Sequence, residues 1–208
     1  NNDWELSREL INRHREYKDF PNELPDQKDL IEVFSDFYFG GDPNGATSQW
    51  KGFILNEPLL VKKTFFQTLT SKGFSWGFLS GAEPQSAKFI LEARLGLTNP
   101  PLIAMGEAPE KPNPSGLIKL ATQLAGEPLG ARVPPVTYLG DTVADVLTVM
   151  NAKKENPAQC FISLGIAPPH LHATAKKSAR NHYENKLEEA GADKIITSTN
   201  DLLENLNN

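Results

Sequence analysis

The sequence predicts an α/β protein built on a doubly wound, mostly parallel sheet. From Phe74 onward, short apolar runs typical of strands alternate with stretches whose apolar residues recur at i, i+3, i+4 and i+7, as on one face of a helix. Helix signals fall between the runs, with Pro84 at the start of one predicted helix and Gly126 after the end of another. This alternation is typical of parallel sheets covered by helices on both faces.

The predicted elements divide the chain into two parts. Residues before 74 contain no clear strand, and their patterns indicate helices over 3–18, 29–39 and 58–73 with an extended segment over 51–57. We therefore expect a small helical region, residues 1–57, followed by an α/β core, residues 58–208. Within the core, strands are predicted over 75–79, 101–105, 136–139, 160–165 and 194–196, and helices from 84, 114, 143, 181 and 201.

Composition excludes several classes of function. The 208 residues are 39% apolar, which is enough to form a core, and the net charge of −5 comes with lysines and arginines scattered along the chain. We therefore expect no nucleic-acid partner. No apolar run approaches the length of a membrane span, so no membrane partner is expected either. The single cysteine, Cys160, cannot form an internal disulfide; we expect it in the core of a cytoplasmic protein.

One stretch combines a strand, a glycine turn and two carboxylates. The residues from Val136 to Met150 change from a strand pattern to a helix pattern, which places Gly140 and Asp141 at the turn. Asp145 lies one helical turn further on, on the same side as Asp141. Two carboxylates at the carboxyl end of a strand suit Mg²⁺. The alternative is structural: Asp141 caps the helix and Asp145 is solvated.

Two other loops carry residue types that can bind phosphate. Ser80 and Gly81 follow a predicted strand, and a hydroxyl beside the N–H groups of a glycine turn can hold a phosphate. Lys111 lies among turn residues just before a predicted helix, where its ammonium could contact a phosphoryl oxygen. Each feature has an ordinary alternative, since Ser80 could serve only the turn and Lys111 could be a solvated surface lysine.

The three loops together resemble motifs of a known family. Ser80-Gly81, then Lys111-Pro-Asn-Pro, then Gly140-Asp-Thr-Val-Ala-Asp145 follow one another at intervals of about thirty residues. This order and spacing resemble the second, third and fourth motifs of the haloacid dehalogenase superfamily, in its phosphatase-like branch with a helical cap. The resemblance covers the core best and extends to residues 1–57, as a partial cap, only through their helical character.

The resemblance implies a role for each matching residue. Ser80 and the Gly81 N–H would bind the transferring phosphoryl group, and Lys111 would offset the charge that develops on it. Asp141 would ligate Mg²⁺, and Asp145 would ligate it through water or orient its ligand shell. In that family an aspartate attacks the phosphate and forms an aspartyl-phosphate, which water then hydrolyses. The implied substrate is a small phosphorylated metabolite.

The family's first motif is missing from this sequence. That motif is an Asp-x-Asp pair after an apolar strand, and no two aspartates of this chain stand two residues apart. In the family the strand of this motif lies in the centre of the sheet, between the strand before Ser80 and the strand before Asp141. We therefore expect a slot between these two strands, empty or filled by another segment. Direct hydrogen bonding between them would contradict this expectation.

Three hypotheses for function follow. The first is an Mg²⁺-dependent phosphomonoester hydrolase, incomplete as the 208 residues stand. The second is a non-catalytic relative that binds a phosphorylated ligand or a protein partner, and the third is an unrelated receiver-like domain. His170 and His172 form a His-x-His pair, for which an exposed loop is the simplest interpretation. The sequence does not specify the substrate or the oligomeric state.

Overall fold

The computed structural model describes residues 3–18 and 26–205, and the chain forms two compact units. The units are Asn1–Pro58 and Leu59–Asn208. The sequence-based interpretation of residues 1–57 as a cap stays a prediction. Among the described residues, no helix is both long enough and apolar enough to cross a membrane.

Two helices and an aromatic cluster build the first unit. The helices are α1 (Asp3–Lys18) and α2 (Gln27–Tyr38). Helix α2 begins two residues before its predicted start because Asp26 and Asp29 form a capping box, in which each side chain accepts a hydrogen bond from the other's backbone N–H. The extended segment predicted over 51–57 is wrong, since Phe53–Leu55 forms a 3₁₀ turn that buries Ile54 completely.

A close backbone contact shapes the loop after α2. Gly40 has a φ of +63°, and a β-carbon at Gly40 would lie 2.4 Å from the backbone nitrogen of Gly52. Only glycine fits this approach. The loop then brings Trp50 against Phe39, with ring centroids 4.7 Å apart, and the indole N–H donates to the backbone oxygen of Asp42. Aromatic packing therefore forms the centre of this unit.

The second unit alternates strands and helices as predicted. Its sheets are parallel throughout, because each hydrogen-bonded pair of strands runs in one direction. Three elements are shorter than predicted, because the strands predicted over 75–79 and 101–105 are each reduced to two residues and the first helix begins at residue 63 instead of 58. The elements are α3 (Lys63–Ser71), β1 (Phe78–Leu79), α4 (Pro84–Lys88, continued by a π-helical turn Phe89–Arg94), β2 (Leu102–Ile103), α5 (Ser115–Ala125), β3 (Val136–Gly140), α6 (Val143–Glu155), β4 (Phe161–Ile166), α7 (Lys177–Glu189), β5 (Lys194–Ile196) and α8 (Asp201–Asn205).

The strands of the described residues form two sheets. Strand β1 pairs with β2, and β3, β4 and β5 form a second sheet in that order. Leu79 of β1 and Val136 and Tyr138 of β3 nevertheless pack against the same core cluster, which α5, α6 and β4 supply. Strands β1 and β3 thus share a helical layer without hydrogen bonding to each other. The pairing that would contradict the expected slot does not occur among the described residues.

The position of Cys160 differs from its prediction. Cys160 is exposed, whereas the next residue, Phe161, is 4% exposed and begins β4. Successive side chains of an extended chain point to opposite sides, so an apolar run need not bury every member. The expectation of a core cysteine is therefore wrong.

Candidate functional site

The first turn of α6 fixes the position of Asp145. Thr142, not Asp141, is the N-cap residue, and its hydroxyl accepts a hydrogen bond from the Asp145 N–H at 3.2 Å. The Thr142 N–H and hydroxyl in turn donate to Asp145 Oδ2 at 3.0 and 2.6 Å. A β-carbon at Gly140 would lie 2.2 Å from the Asp145 β-carbon, so glycine is required for this approach. The alternative in which Asp141 caps the helix is wrong.

The other oxygen of Asp145 binds two groups from different parts of the chain. Lys111 Nζ donates to Asp145 Oδ1 at 2.6 Å, and the Tyr138 hydroxyl donates to the same oxygen at 2.9 Å. Lys111 Nζ also lies 3.4 Å from the Tyr138 hydroxyl, so the three groups form a triangle. The Asp145 side chain is only 5% exposed. The alternative in which Asp145 is solvated is therefore also wrong.

The pKa values of the two carboxyl groups shift in opposite directions. Burial acts to raise the pKa of Asp145, but the Lys111 charge and the hydrogen bonds from Lys111, Thr142 and Tyr138 hold the pKa below its usual value. The pKa of Asp141 is raised, first by burial and then by the neighbouring Asp145 charge. Burial, followed by the Asp145 charge, also raises the pKa of Tyr138, so its hydroxyl stays protonated and donates. One lysine thus faces two carboxylates.

Neighbouring helices hold the loop that carries Lys111. The Asn113 side chain accepts a hydrogen bond from the Ser115 N–H at the start of α5. From α6, the Asn151 side chain donates to the Pro112 backbone oxygen at 3.0 Å. Contacts on both sides therefore bring Lys111 to the first turn of α6.

Ser80 and Gly81 lie at the end of β1, beside the start of α5. The Leu79 side chain lies so close to Gly116 of α5 that a β-carbon there would approach within 2.8 Å. The Ser80 hydroxyl accepts a hydrogen bond from the Ala82 N–H at 3.0 Å, and no atom lies within 4 Å of the position that a β-carbon of Gly81 would take. Among the described residues, Ser80 makes no hydrogen bond to Lys111 or to either aspartate. Its predicted contact with phosphate stays a prediction.

The carboxylates fit a cation in a limited way. Among residues 3–18 and 26–205, no group of three or more histidine, cysteine, aspartate or glutamate side chains could hold a metal ion. Both oxygens of Asp145 already accept two hydrogen bonds each. Asp141 is exposed and can offer its carboxylate. Since Mg²⁺ takes as few as one or two carboxylates and keeps several waters, a single available carboxylate such as that of Asp141 is compatible with this ion, and the metal roles predicted for Asp141 and Asp145 stay predictions.

Sequence reasoning missed two tyrosines of this site. Tyr138 stands two residues before Gly140, so strand alternation places both on the same face of β3, and this signal could have found Tyr138. Tyr183 of α7 donates to the backbone oxygen of Asp141 at 2.7 Å. Because Tyr183 lies 42 positions from Asp141, local pattern offers no signal for that contact.

The parallel strands and the intervening helices define a Rossmann-like α/β fold, so the predicted fold class is confirmed. A solved structure shares this fold: the phosphonoacetaldehyde hydrolase-like protein from Oleispira antarctica, with a TM-score of 0.60 and 18% sequence identity. The match covers 97% of this chain and 72% of that protein. No protein-family model matches the sequence, and no curated protein matches it.

Proposed function

We propose that the site belongs to an Mg²⁺-dependent phosphomonoester hydrolase of the haloacid dehalogenase type, which acts on a small phosphorylated metabolite. The observation that carries the proposal is the position of Lys111, whose ammonium lies 2.6 Å from Asp145 Oδ1 in the turn that also bears Asp141. A fixed ammonium beside two carboxylates suits a phosphoryl group bound together with a divalent cation. The fold shared with a hydrolase-like protein supports the same class.

Each residue has a distinct part in the proposed reaction. Lys111 holds a phosphoryl oxygen and offsets the charge that builds on it, and Ser80 with the Gly81 N–H binds another oxygen. Asp141 holds Mg²⁺, which supplies further positive charge to the phosphoryl oxygens when bound. Asp145 keeps the Lys111 ammonium in place through its 2.6 Å hydrogen bond. These groups bind and orient the phosphate; none of them is the nucleophile.

The nucleophile must come from outside the three matching motifs. The proposed reaction needs a carboxylate that attacks phosphorus, breaks the P–O bond to the leaving alcohol and forms an aspartyl-phosphate that water then hydrolyses. The 208 residues contain no Asp-x-Asp pair. We assign this carboxylate to a strand between β1 and β3, which do not pair with each other among the described residues. Turnover is therefore proposed only for a form of the protein that includes such a strand.

Release of phosphate from p-nitrophenyl phosphate tests the proposal. We expect Mg²⁺-dependent release by a form that includes the strand, binding of phosphate without turnover by the 208-residue chain, and loss of release on Lys111→Ala or Asp141→Asn. Lys119→Ala is the matched control, because Lys119 lies on α5 and makes only a 3.5 Å contact with the Glu107 backbone oxygen. Full activity in Lys111→Ala, or activity that survives removal of divalent cations, would contradict the proposal.

A second substrate belongs in the same assay. The structural neighbour is named for phosphonoacetaldehyde. In this phosphonate the organic group is joined to phosphorus through carbon, whereas in a phosphomonoester it is joined through oxygen. Phosphonoacetaldehyde should therefore be compared with the phosphomonoester, with acetaldehyde and phosphate measured as products. If only the phosphonate is cleaved, the proposed site residues stand and the proposed substrate class changes from a phosphomonoester to a phosphonate.

The alternative proposal is a non-catalytic relative that binds a phosphorylated ligand or a protein partner. It is favoured by the lack of an Asp-x-Asp pair in the 208 residues. Under this alternative, phosphate binds at Lys111 and no form of the protein turns over a substrate. Equilibrium binding of phosphate, together with the absence of product from every form of the protein, would support the non-catalytic alternative.

A further inference from the structure

A hydroxyl group completes the hydrogen bonding of the Lys111–Asp145 pair. The Tyr138 hydroxyl lies 2.9 Å from Asp145 Oδ1 and 3.4 Å from Lys111 Nζ, and these two atoms are 2.6 Å apart. The Tyr138 hydroxyl therefore donates its proton to the carboxylate and accepts one from the ammonium. Each of the three groups is therefore hydrogen-bonded to the other two.

Packing holds the ring of Tyr138 in one place. Tyr138 lies on β3, and its side chain packs against the core cluster that includes Leu117 of α5 and Val149 of α6. The ring is therefore packed against this core cluster, while the hydroxyl reaches the charged pair. A tyrosine with an apolar body and a polar tip suits such a position. The Tyr138 hydroxyl is therefore held in a defined position, whereas the four-carbon side chain of a lysine is flexible.

The triangle determines the direction of the remaining proton of Lys111. A lysine ammonium has three N–H donors. One donates to Asp145 and one to Tyr138. Within the part of the chain that the structure describes, the third has no acceptor within hydrogen-bonding distance, and the side chain is 25% exposed. Since both acceptors lie on one side of the ammonium, its remaining donor capacity lies on the side away from Asp145 and Tyr138.

We propose that Tyr138 is a positioning residue for phosphate binding: its hydroxyl fixes the Lys111 ammonium so that the third N–H points at a phosphoryl oxygen. This inference rests on the proposed function of the site and adds a residue to it. Without the hydroxyl, the ammonium keeps its bond to Asp145 but can rotate about it. Phosphate binding must then also order the Lys111 side chain, which weakens the affinity.

The first test observes the lysine itself. In a ¹H–¹⁵N NMR spectrum of lysine side chains, the Lys111 ammonium should give a signal protected from exchange with water, identified by its loss in Lys111→Ala. We expect Tyr138→Phe to remove that protection. The matched control is Tyr38→Phe, which deletes a hydroxyl that donates to the Glu57 carboxylate at 2.7 Å in the first unit. A Lys111 signal that stays protected in Tyr138→Phe overturns the inference.

The second test measures binding of inorganic phosphate in the presence of Mg²⁺ by calorimetry. We expect Tyr138→Phe to weaken binding about tenfold, the size of one net hydrogen bond, and Tyr38→Phe to leave it unchanged. The double variant with Lys111→Ala should bind as weakly as Lys111→Ala alone, because Tyr138 acts through Lys111. A merely structural effect of Tyr138 would add to that of Lys111.

The outcomes separate the inference from the proposed function. If Lys111→Ala weakens phosphate binding but Tyr138→Phe does not, the proposed function stands and the role of Tyr138 is wrong. If the effects of Lys111→Ala and Tyr138→Phe simply add, Tyr138 is a structural residue and the inference fails. If phosphate binds equally well to the parent chain and to Lys111→Ala, or binds to neither, the proposed function and the inference fail together.

Discussion

Replacement of Asp145 by asparagine should destabilise the protein strongly. Asparagine has nearly the same shape, so the change removes charge and turns one acceptor into a donor. The carbonyl oxygen can still accept from Lys111 and Tyr138. The amide nitrogen, in contrast, would face the Thr142 N–H, which now lies 3.0 Å from Asp145 Oδ2, and this places two donors against each other.

The magnitude follows from these contacts. A backbone donor left facing another donor at this part-buried position costs about 1–3 kcal/mol. Replacing a charge-assisted bond to Lys111 by a neutral one removes about another 1 kcal/mol, kept small because the lysine side chain is 25% exposed. We therefore expect Asp145→Asn to lower the free energy of unfolding by about 2–4 kcal/mol, a large part of the usual ~5–15 kcal/mol.

Urea unfolding of Asp145→Asn tests this prediction, and Asp141→Asn is the matched control. Asp141 carries the same side chain one turn away. The residue is exposed overall, but partial desolvation of its carboxyl group, and then the Asp145 charge, raise its pKa. Removing its charge should leave stability unchanged or raise it slightly. Both variants should keep the parent m-value. A loss in Asp141→Asn as large as that in Asp145→Asn, or a change below about 0.5 kcal/mol in Asp145→Asn, would refute the account of the site.

Three further predictions use the same unfolding measurement. Gly140→Ala should lower the free energy of unfolding by more than about 2 kcal/mol, because the added β-carbon would lie 2.2 Å from that of Asp145. Gly130→Ala, whose added β-carbon would have no atom within 4 Å, should change it by less than about 1 kcal/mol. Equal effects of the two substitutions would contradict the close approach of Gly140 and Asp145. Leu187→Ala should cost about 2–5 kcal/mol because Leu187 is fully buried, whereas Leu60→Ala, 58% exposed, should stay within about 0.5 kcal/mol. In a pH series, Asp145 has a lowered pKa, so its stabilisation is present above the unfolded value of about 3.9 and is lost as the pH falls through the folded value. Asp141 has a raised pKa, so its contribution is present below about pH 3.9 and is lost as the pH rises through the folded value. The stability difference between parent and Asp145→Asn should therefore shrink in acid; a difference independent of pH would contradict the assignment.

Local pattern was sufficient to predict most elements of the second unit. The change of period from strand to helix after Leu139 corresponds to β3 followed by α6, and Gly126, predicted to end a helix, follows α5 with a φ of +72°. These features depend on residues within a few positions of one another, so the sequence carries them directly. Element lengths were less accurate. Strand β1 has two residues instead of five, because pairing with β2 sets its length.

The site was predicted in part. The sequence alone selected Lys111, Asp141 and Asp145, and the structure brings Lys111 to Asp145. The sequence did not distinguish the two carboxylates, because the difference in their burial and hydrogen bonding comes from groups far away along the chain. Asp145 is buried and accepts hydrogen bonds from Lys111 and Tyr138, while Asp141 is exposed and its backbone oxygen accepts a hydrogen bond from Tyr183.

The sequence by itself determined the fold class, the order of the strands and helices, and the three loops with polar residues. Each of these depends on local periodicity or on turn residues, which act over a few positions. Only the tertiary structure decided which charges meet. The contact between Lys111 and Asp145 joins residues 34 positions apart, and it exists because the loop before α5 is held against α6. Packing also decided that β1 and β3 rest on one helical layer without pairing, since that depends on how α5 and α6 lie against each other.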